Sequence, residues 1–202
     1  IIFHLGMSGR IQVNEKKNKY TRARFYFDKD NVNFDDIRRF GFIKIIKAEL
    51  KIDYLNKIGP DVLEISTKQS RIIIDKSKKS KSLIKDFILN QKYMSGIGNI
   101  YANEILFASR IHPETKVNAL SRNNWNDFFK NTKKIMQLAI KNNGTTLSDM
   151  TYFLPYGEFG SNQNFLKIYS KTNCFNCEHI IDKIYINQRA TYFCRKCQKL
   201  KN

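Results

Sequence analysis

Cys174-Phe-Asn-Cys177 and Cys194-Arg-Lys-Cys197 form two matched pairs with sixteen residues between them. Two residues between cysteines let one tight turn present both thiolates to the same ion. The stretch between the pairs suits a β-hairpin that brings the second pair back to the first. This is the spacing of a zinc ribbon. Four sulfurs close a tetrahedral shell and leave no position for a reactive water, so one structural Zn²⁺ is expected on Cys174, Cys177, Cys194 and Cys197. Two disulfides or four independent thiols are the alternatives. Thiolates on zinc leave a net negative charge, and Lys171, Lys183, Arg189, Arg195, Lys196 and Lys199 lie around them in sequence.

The basic character extends through the chain. Its 202 residues carry 36 Lys+Arg against 18 Asp+Glu, a formal charge of +18. Such a balance points to a polyanionic partner, since each neutralised phosphate releases a counterion. Part of the excess can be a solvated lysine face, and a basic membrane-surface protein is the main rival. No long amphipathic Lys/Phe helix stands out, and no apolar run approaches the roughly 20 residues of a membrane span. No signal peptide is evident, and metal-bound cysteines imply a reducing compartment, hence a cytoplasmic, nucleoid-associated protein. A monomer is expected.

The periodicity divides the chain into an α+β arrangement. Residues 1–66 read as a partial β-sandwich, with β-rich runs at 1–5, 10–13, 22–27 and 42–47 broken by Gly6, Gly9 and Asp28-Lys-Asp-Asn31. Residues 67–150 change to helical spacing, and the Ser-rich basic stretch from Lys76 to Lys81 reads as a helix approach or linker. Leu83, Ile84, Phe87 and Ile88 fall on one helix, and Gly96-Ile-Gly98-Asn99 breaks it. A second helix is expected from about 100 to 109, with His112-Pro113 ending it. Ser121 is the expected N-cap of the longest helix, and Gly144 its C′ residue. Residues 151–164 read as a Gly-punctuated loop, and 165–202 as the finger.

Three motifs could carry function. Gly96-Ile-Gly98-Asn99-Ile-Tyr101-Ala-Asn103-Glu104 places two glycines ahead of a helix start, where backbone N–H groups and the helix dipole favour an anion. His4-Leu-Gly-Met7-Ser-Gly9-Arg10 sets a methionine at the tip of a Gly-rich turn. Ile37-Arg38-Arg39-Phe40-Gly41 sets two arginines and a phenylalanine between strands. An exposed Met and Phe beside Arg suit a wedge that unstacks DNA; as buried residues they would only be core.

Read in order, His-Leu-Gly-Met-Ser-Gly, Arg-Arg-Phe-Gly, Gly-Pro-Asp, Gly-Ile-Gly-Asn-Ile-Tyr-Ala-Asn-Glu, His-Pro, Gly-Thr-Thr-Leu and Gln188-Arg-Ala-Thr-Tyr-Phe-Cys194-Arg-Lys-Cys197 resemble bacterial formamidopyrimidine-DNA glycosylase. The resemblance covers essentially the whole chain and implies a β-sandwich, a helix–two-turn–helix DNA-binding module and a C-terminal zinc β-hairpin finger. It implies a base-excision-repair glycosylase that flips out oxidised purines such as 8-oxoguanine and formamidopyrimidines, then cleaves the abasic strand by β,δ-elimination. The implied partner is double-stranded DNA with oxidised bases or abasic sites.

By the same resemblance Met7, Arg38 and Phe40 fill the gap left by the flipped nucleotide, and Asn99 belongs to a phosphate clamp. Arg189 grips phosphates beside the lesion and assists δ-elimination, Lys85 influences recognition of 8-oxoguanine, and Lys79 and Lys81 contact the DNA backbone. The resemblance places loop 151–164 on the lesion side. Two positions depart from the family's usual pattern. Ile37 replaces a common proline, and Tyr20 lies where many members carry a histidine that contacts phosphate.

The family's nucleophile is the amine of an N-terminal proline, followed by a glutamate, with a lysine on an early strand. None can be placed here, because Ile1-Ile-Phe-His4 reads as a strand already under way. The chain is therefore expected to lack its nucleophile segment and to be inactive alone on 8-oxoguanine. The competing readings are a non-catalytic damaged-DNA binder and an endonuclease VIII-like glycosylase for oxidised pyrimidines, the latter disfavoured by the intact trio. A zinc-ribbon RNA binder is remote, since no aromatic stacking platform is apparent.

Overall fold

The computed structural model describes residues 1–50, 56–147, 152 and 154–200. The fold is α+β and forms two compact units, residues 1–52 with 139–165, and residues 53–138 with 166–202. The four zones expected from sequence are thus regrouped: the loop after the long helix joins the strands, and the finger joins the helices. The boundary expected at 150–151 lies outside the described residues.

In the first unit β1 (Ile2–His4) pairs antiparallel with β5 (Phe42–Lys44). The second sheet has the order β2-β4-β3, from β2 (Gly9–Val13), β3 (Thr21–Tyr26) and β4 (Asn31–Asp36), also antiparallel. Phe3 of the first sheet meets Phe25 edge-on, with ring centroids 5.6 Å apart, and Phe34 at 6.3 Å, so an aromatic cluster joins the two sheets. Residues 139–165 add a backbone bond from Val13 N–H to Pro155 O at 2.8 Å.

Strand β4 is a correction to the sequence reading, which left 31–36 without a strand. Three of its four buried side chains are polar, Asn33, Asp35 and Asp36, with Phe34 the fourth. Asn33 donates to the backbone carbonyls of Glu15 and Lys16 and accepts from Arg24 Nε. A strand that buries mostly polar, hydrogen-bonded side chains is invisible to hydrophobic alternation. The run expected at 42–47 forms a strand only over Phe42–Lys44.

The second unit is built on α1 (Thr67–Lys78), α2 (Ile84–Leu89), α3 (Asn99–Ala108) and α4 (Arg122–Lys141). Helix α1 corrects the linker expected from Lys76 onward. It begins in a capping box: Ser66 Oγ accepts from Gln69 N–H, and Gln69 Oε1 accepts from Ser66 N–H. Such a cap stabilises a helix by about 1 kcal/mol. Ser121 and Asn124 repeat the arrangement at the start of α4, as the Ser121 reading expects.

The helix ends differ in detail. Helix α3 stops at Ala108, ahead of His112-Pro113, with Ser109 as its C-cap. At the end of α4, Asn143 takes the first left-handed position (φ 56°) and Gly144 the next (φ 80°), its N–H bonded to Ala139 O at 2.8 Å. Gly144 is therefore one residue beyond C′ in a Schellman-type closure. Trp125, fully buried, packs edge-on against Phe87 and Phe128 at 5.9 and 5.3 Å, within a core that includes Ile73, Ile84, Ile88, Met94 and Ile105.

The finger is β6 (Asp182–Ile186) and β7 (Arg189–Phe193). Its small core of Ile168, Cys174, Ile181 and Cys194 includes Phe107 of α3. Glu104 fastens the two: its carboxylate accepts the backbone N–H groups of Lys167, Ile168 and Tyr169 at 2.9, 3.0 and 2.8 Å. Asn103 Oδ1 accepts from Tyr192 N–H at 2.7 Å, and Gln198 Nε2 donates to Ile111 O at 2.7 Å. The Asn103-Glu104 pair, which sequence placed merely after a turn, is the fastening between helix and finger.

Candidate nucleic-acid interface

The first unit brings three of the expected wedge residues together. Met7 is 71 % exposed and Phe40 55 %, so both are surface residues rather than core. Arg38 stacks its guanidinium over the Phe40 ring at 4.7 Å. Close backbone approach makes this possible: a Cβ on Gly41 would lie 2.6 Å from His4 O, and one on Gly9 would lie 2.2 Å from Leu5 O. Only glycine fits at either position.

Beneath the trio lies a carboxylate that sequence reading did not single out. Asp36 accepts from Ser8 Oγ at 2.6 Å, Gly41 N–H at 2.7 Å and Arg38 N–H at 3.2 Å. Ser8 Oγ in turn accepts from Arg38 N–H at 2.9 Å. One buried acid therefore ties the methionine turn to the arginine loop. Burial alone would raise its pKa, but the hydrogen bonds from Ser8 and from the N–H groups of Gly41, Arg38 and Arg39 outweigh it and hold the carboxyl below its ordinary 3.8. An aspartate directly ahead of an arginine loop, able to cap its backbone N–H groups, was the available signal.

Tyr20 is half-buried, with its N–H bonded to Asn18 Oδ1 at 2.8 Å and the Lys19 ammonium 5.1 Å from its ring centroid. Ile37 is exposed.

In the second unit Arg189 is exposed, at the start of β7. Asn187 (φ 45°) and Gln188 (φ 61°) form the two-residue turn before it, both left-handed, which presents Arg189 at the hairpin tip. Among the described residues Arg189 makes no ion pair. Lys79 and Lys81 are exposed where α1 ends.

Lys85 and Asn99 meet at the hairpin. Lys85 is fully buried, and Nζ donates to Thr191 Oγ1 at 2.6 Å and Ala190 O at 3.0 Å. Asn99 Nδ2 donates to the same Ala190 O at 3.1 Å. Both side chains are turned onto the hairpin. Burial pushes the Lys85 pKa down to about 8, with the Arg189 cation acting in the same direction and Asp86 against it.

The four cysteine sulfurs lie within 4.8 Å of one another. The separations are 3.8 Å for Cys174–Cys197, 3.6 Å for Cys177–Cys194 and 3.5 Å for Cys177–Cys197. A tetrahedron with Zn–S bonds of about 2.3 Å has edges of about 3.8 Å, so the residues fit one structural zinc. The cluster is closed by four thiols and offers the ion a structural role only.

Comparisons with known proteins agree with this geometry. Residues 1–43 match the formamidopyrimidine-DNA glycosylase N-terminal domain, and residues 58–151 match the formamidopyrimidine-DNA glycosylase H2TH domain. The chain is 39 % identical to a formamidopyrimidine-DNA glycosylase of Mycoplasma genitalium, over 99 % of this chain and 72 % of the relative. It is 37 % identical to that of Listeria innocua, over 98 % and 75 %. Among solved structures it superposes on Lactococcus lactis Fpg bound to abasic-site DNA with a TM-score of 0.87 and 30 % identity, covering 98 % of this chain and 74 % of that one. The same enzyme bound to Fapy-dG DNA gives 0.86. Among the described residues no helix is long and apolar enough to cross a membrane. Sequence, architecture and cysteine cluster together place the chain in the formamidopyrimidine-DNA glycosylase family.

Proposed function

We propose that this chain is the DNA-reading part of a base-excision-repair glycosylase/lyase acting on oxidised purines and the abasic sites they leave. The observation that carries the proposal is the exposed trio. Met7 and Phe40 expose apolar surface side by side with Arg38 on adjoining loops, and a clustered exposed patch of this kind marks an interaction site. A duplex with one nucleotide extruded offers such a cover: a gap for the apolar side chains and an orphaned base for the planar guanidinium. Arg189, Lys79 and Lys81 supply phosphate contacts, consistent with the charge of +18.

Excision with strand cleavage requires an amine that attacks C1′ and forms a Schiff base. Pro60, Pro113 and Pro155 are internal, so their nitrogens are amides and cannot serve. The family resemblance gives that role to the amine of an N-terminal proline, and on that reading these 202 residues by themselves are expected to bind and not to cut.

The test is a titration by fluorescence anisotropy with duplexes that differ only in one nucleotide: guanine, 8-oxoguanine or a tetrahydrofuran abasic analogue. Tighter binding to the modified duplexes supports the reading. Equal affinity for all three overturns it. Borohydride treatment of the 8-oxoguanine complex should leave no covalent adduct, and an adduct would overturn the expectation that these residues bind without cutting.

A further inference from the structure

Lys85 presents a problem of energetics. Burying an ammonium is strongly unfavourable unless hydrogen bonds replace its water, and an apolar side chain on α2 would fill the same space without that cost. What Lys85 gains is a grip on the hairpin. Its Nζ donates to Ala190 O and to Thr191 Oγ1, and the Thr191 hydroxyl donates onward to Arg189 O at 3.0 Å. Asn99 Nδ2 reaches Ala190 O from the start of α3. The carbonyls of Arg189 and Ala190, on either side of the Ala190 Cα, are thus held from beneath, while the exposed Arg189 side chain makes no ion pair among the described residues.

We propose that Lys85, assisted by Asn99 and relayed through the Thr191 hydroxyl, is a positioning residue that aims Arg189 at the nucleic-acid backbone and does not itself touch DNA. This rests on the reading of Arg189 as a phosphate contact. The turn before Arg189 has two left-handed non-glycine residues, Asn187 and Gln188, a conformation that L side chains adopt at a cost, so bonds from beneath help the hairpin tip hold one geometry. Lys85 also places a second cation beneath Arg189, which no acidic partner neutralises among the described residues. The guanidinium is therefore left for an external anion.

The experiment is a double-mutant cycle read by the salt dependence of binding. The zinc-loaded chain, Lys85→Met, Arg189→Ala and the double variant are titrated against a tetrahydrofuran-containing duplex at several salt concentrations. Arg189→Ala is expected to lower the slope by about 0.9, one phosphate's worth. Lys85→Met is expected to weaken binding about tenfold and to lose part of the same slope. In the Arg189→Ala background it should change neither affinity nor slope.

A further slope loss from Lys85→Met in the Arg189→Ala background would mean that Lys85 meets a phosphate itself, and the proposal would be wrong. An unchanged slope in Arg189→Ala alone would instead overturn the phosphate-contact reading. Should Lys85→Met lose its zinc or its fold, Thr191→Val removes the relay without touching the lysine. It should reproduce the coupling to Arg189, and Thr191→Ser should restore wild-type binding. Wild-type binding by Thr191→Val would refute the relay.

Discussion

Arg38 Nη1 lies 3.4 Å from the sulfur of Met7, although 31 residues separate them in sequence. The contact joins two loops that are both bonded to Asp36, so the exposed tip has a defined shape before any DNA arrives. A preformed wedge loses less conformational entropy on insertion than two independent loops would.

Removing the tip should therefore cost discrimination rather than general affinity. Met7→Ala and Arg38→Ala are each expected to reduce the preference for an abasic-analogue duplex over an undamaged one about tenfold, the equivalent of roughly 1.4 kcal/mol. Parallel anisotropy titrations on the two duplexes measure this. A matched loss on both duplexes would place the two residues in general backbone binding instead.

Asp36→Ala should act on the same discrimination from below the surface. It strands the Gly41 and Arg38 N–H groups and costs about 1–3 kcal/mol of stability, measurable by urea denaturation. The carboxyl titrates below 3.8 in the fold, so its contribution is complete above that value and is lost as pH falls through the lowered folded pKa. Wild-type stability should converge on that of Asp36→Ala in strong acid.

Lys85 has the opposite sign. Its folded pKa is about 8 against 10.5 in the unfolded chain. Between these values the unfolded chain holds more protons, so the fold gains stability as pH rises through the window. Below about 8 the full penalty of keeping the proton applies. The difference in unfolding free energy between wild type and Lys85→Met should shift in favour of wild type from pH 8 to pH 10.5, by on the order of 3 kcal/mol at most. A flat difference would show that Lys85 is hydrated in solution.

Zinc removal tests the finger. Cys194→Ser, or chelation of the wild type, should unfold residues 165–200 and weaken DNA binding, because metal binding and folding are coupled at such sites. Circular dichroism and anisotropy report the two effects. Full affinity without metal would separate the finger from DNA contact.

What the sequence disclosed follows from how local each cause is. The finger was legible because metal geometry demands a fixed spacing within a few residues. The helix starts at Ser66 and Ser121 obey the same local logic, although the Ser66 box was passed over in favour of the basic run behind it. Strand β4 was hidden because Asn33, Asp35 and Asp36 hydrogen-bond where a strand usually buries carbon. The burial of Lys85 could not be read from its own helix, because lysine is ordinarily exposed and only the arrival of Thr191, 106 positions later, gives its ammonium a partner. Met7, Arg38 and Phe40 stand out on a Gly-rich turn and an arginine loop, but only the family resemblance decides between a wedge and core.

The discontinuous make-up of the two units has a practical outcome for anyone dividing this polypeptide. The backbone passes between them after residues 52, 138 and 165. A single cut anywhere between the outer two junctions leaves at least one unit short of a segment it needs. Limited proteolysis within 139–165 should therefore release no autonomous piece, and a nicked molecule should keep its fragments associated until denaturant is added.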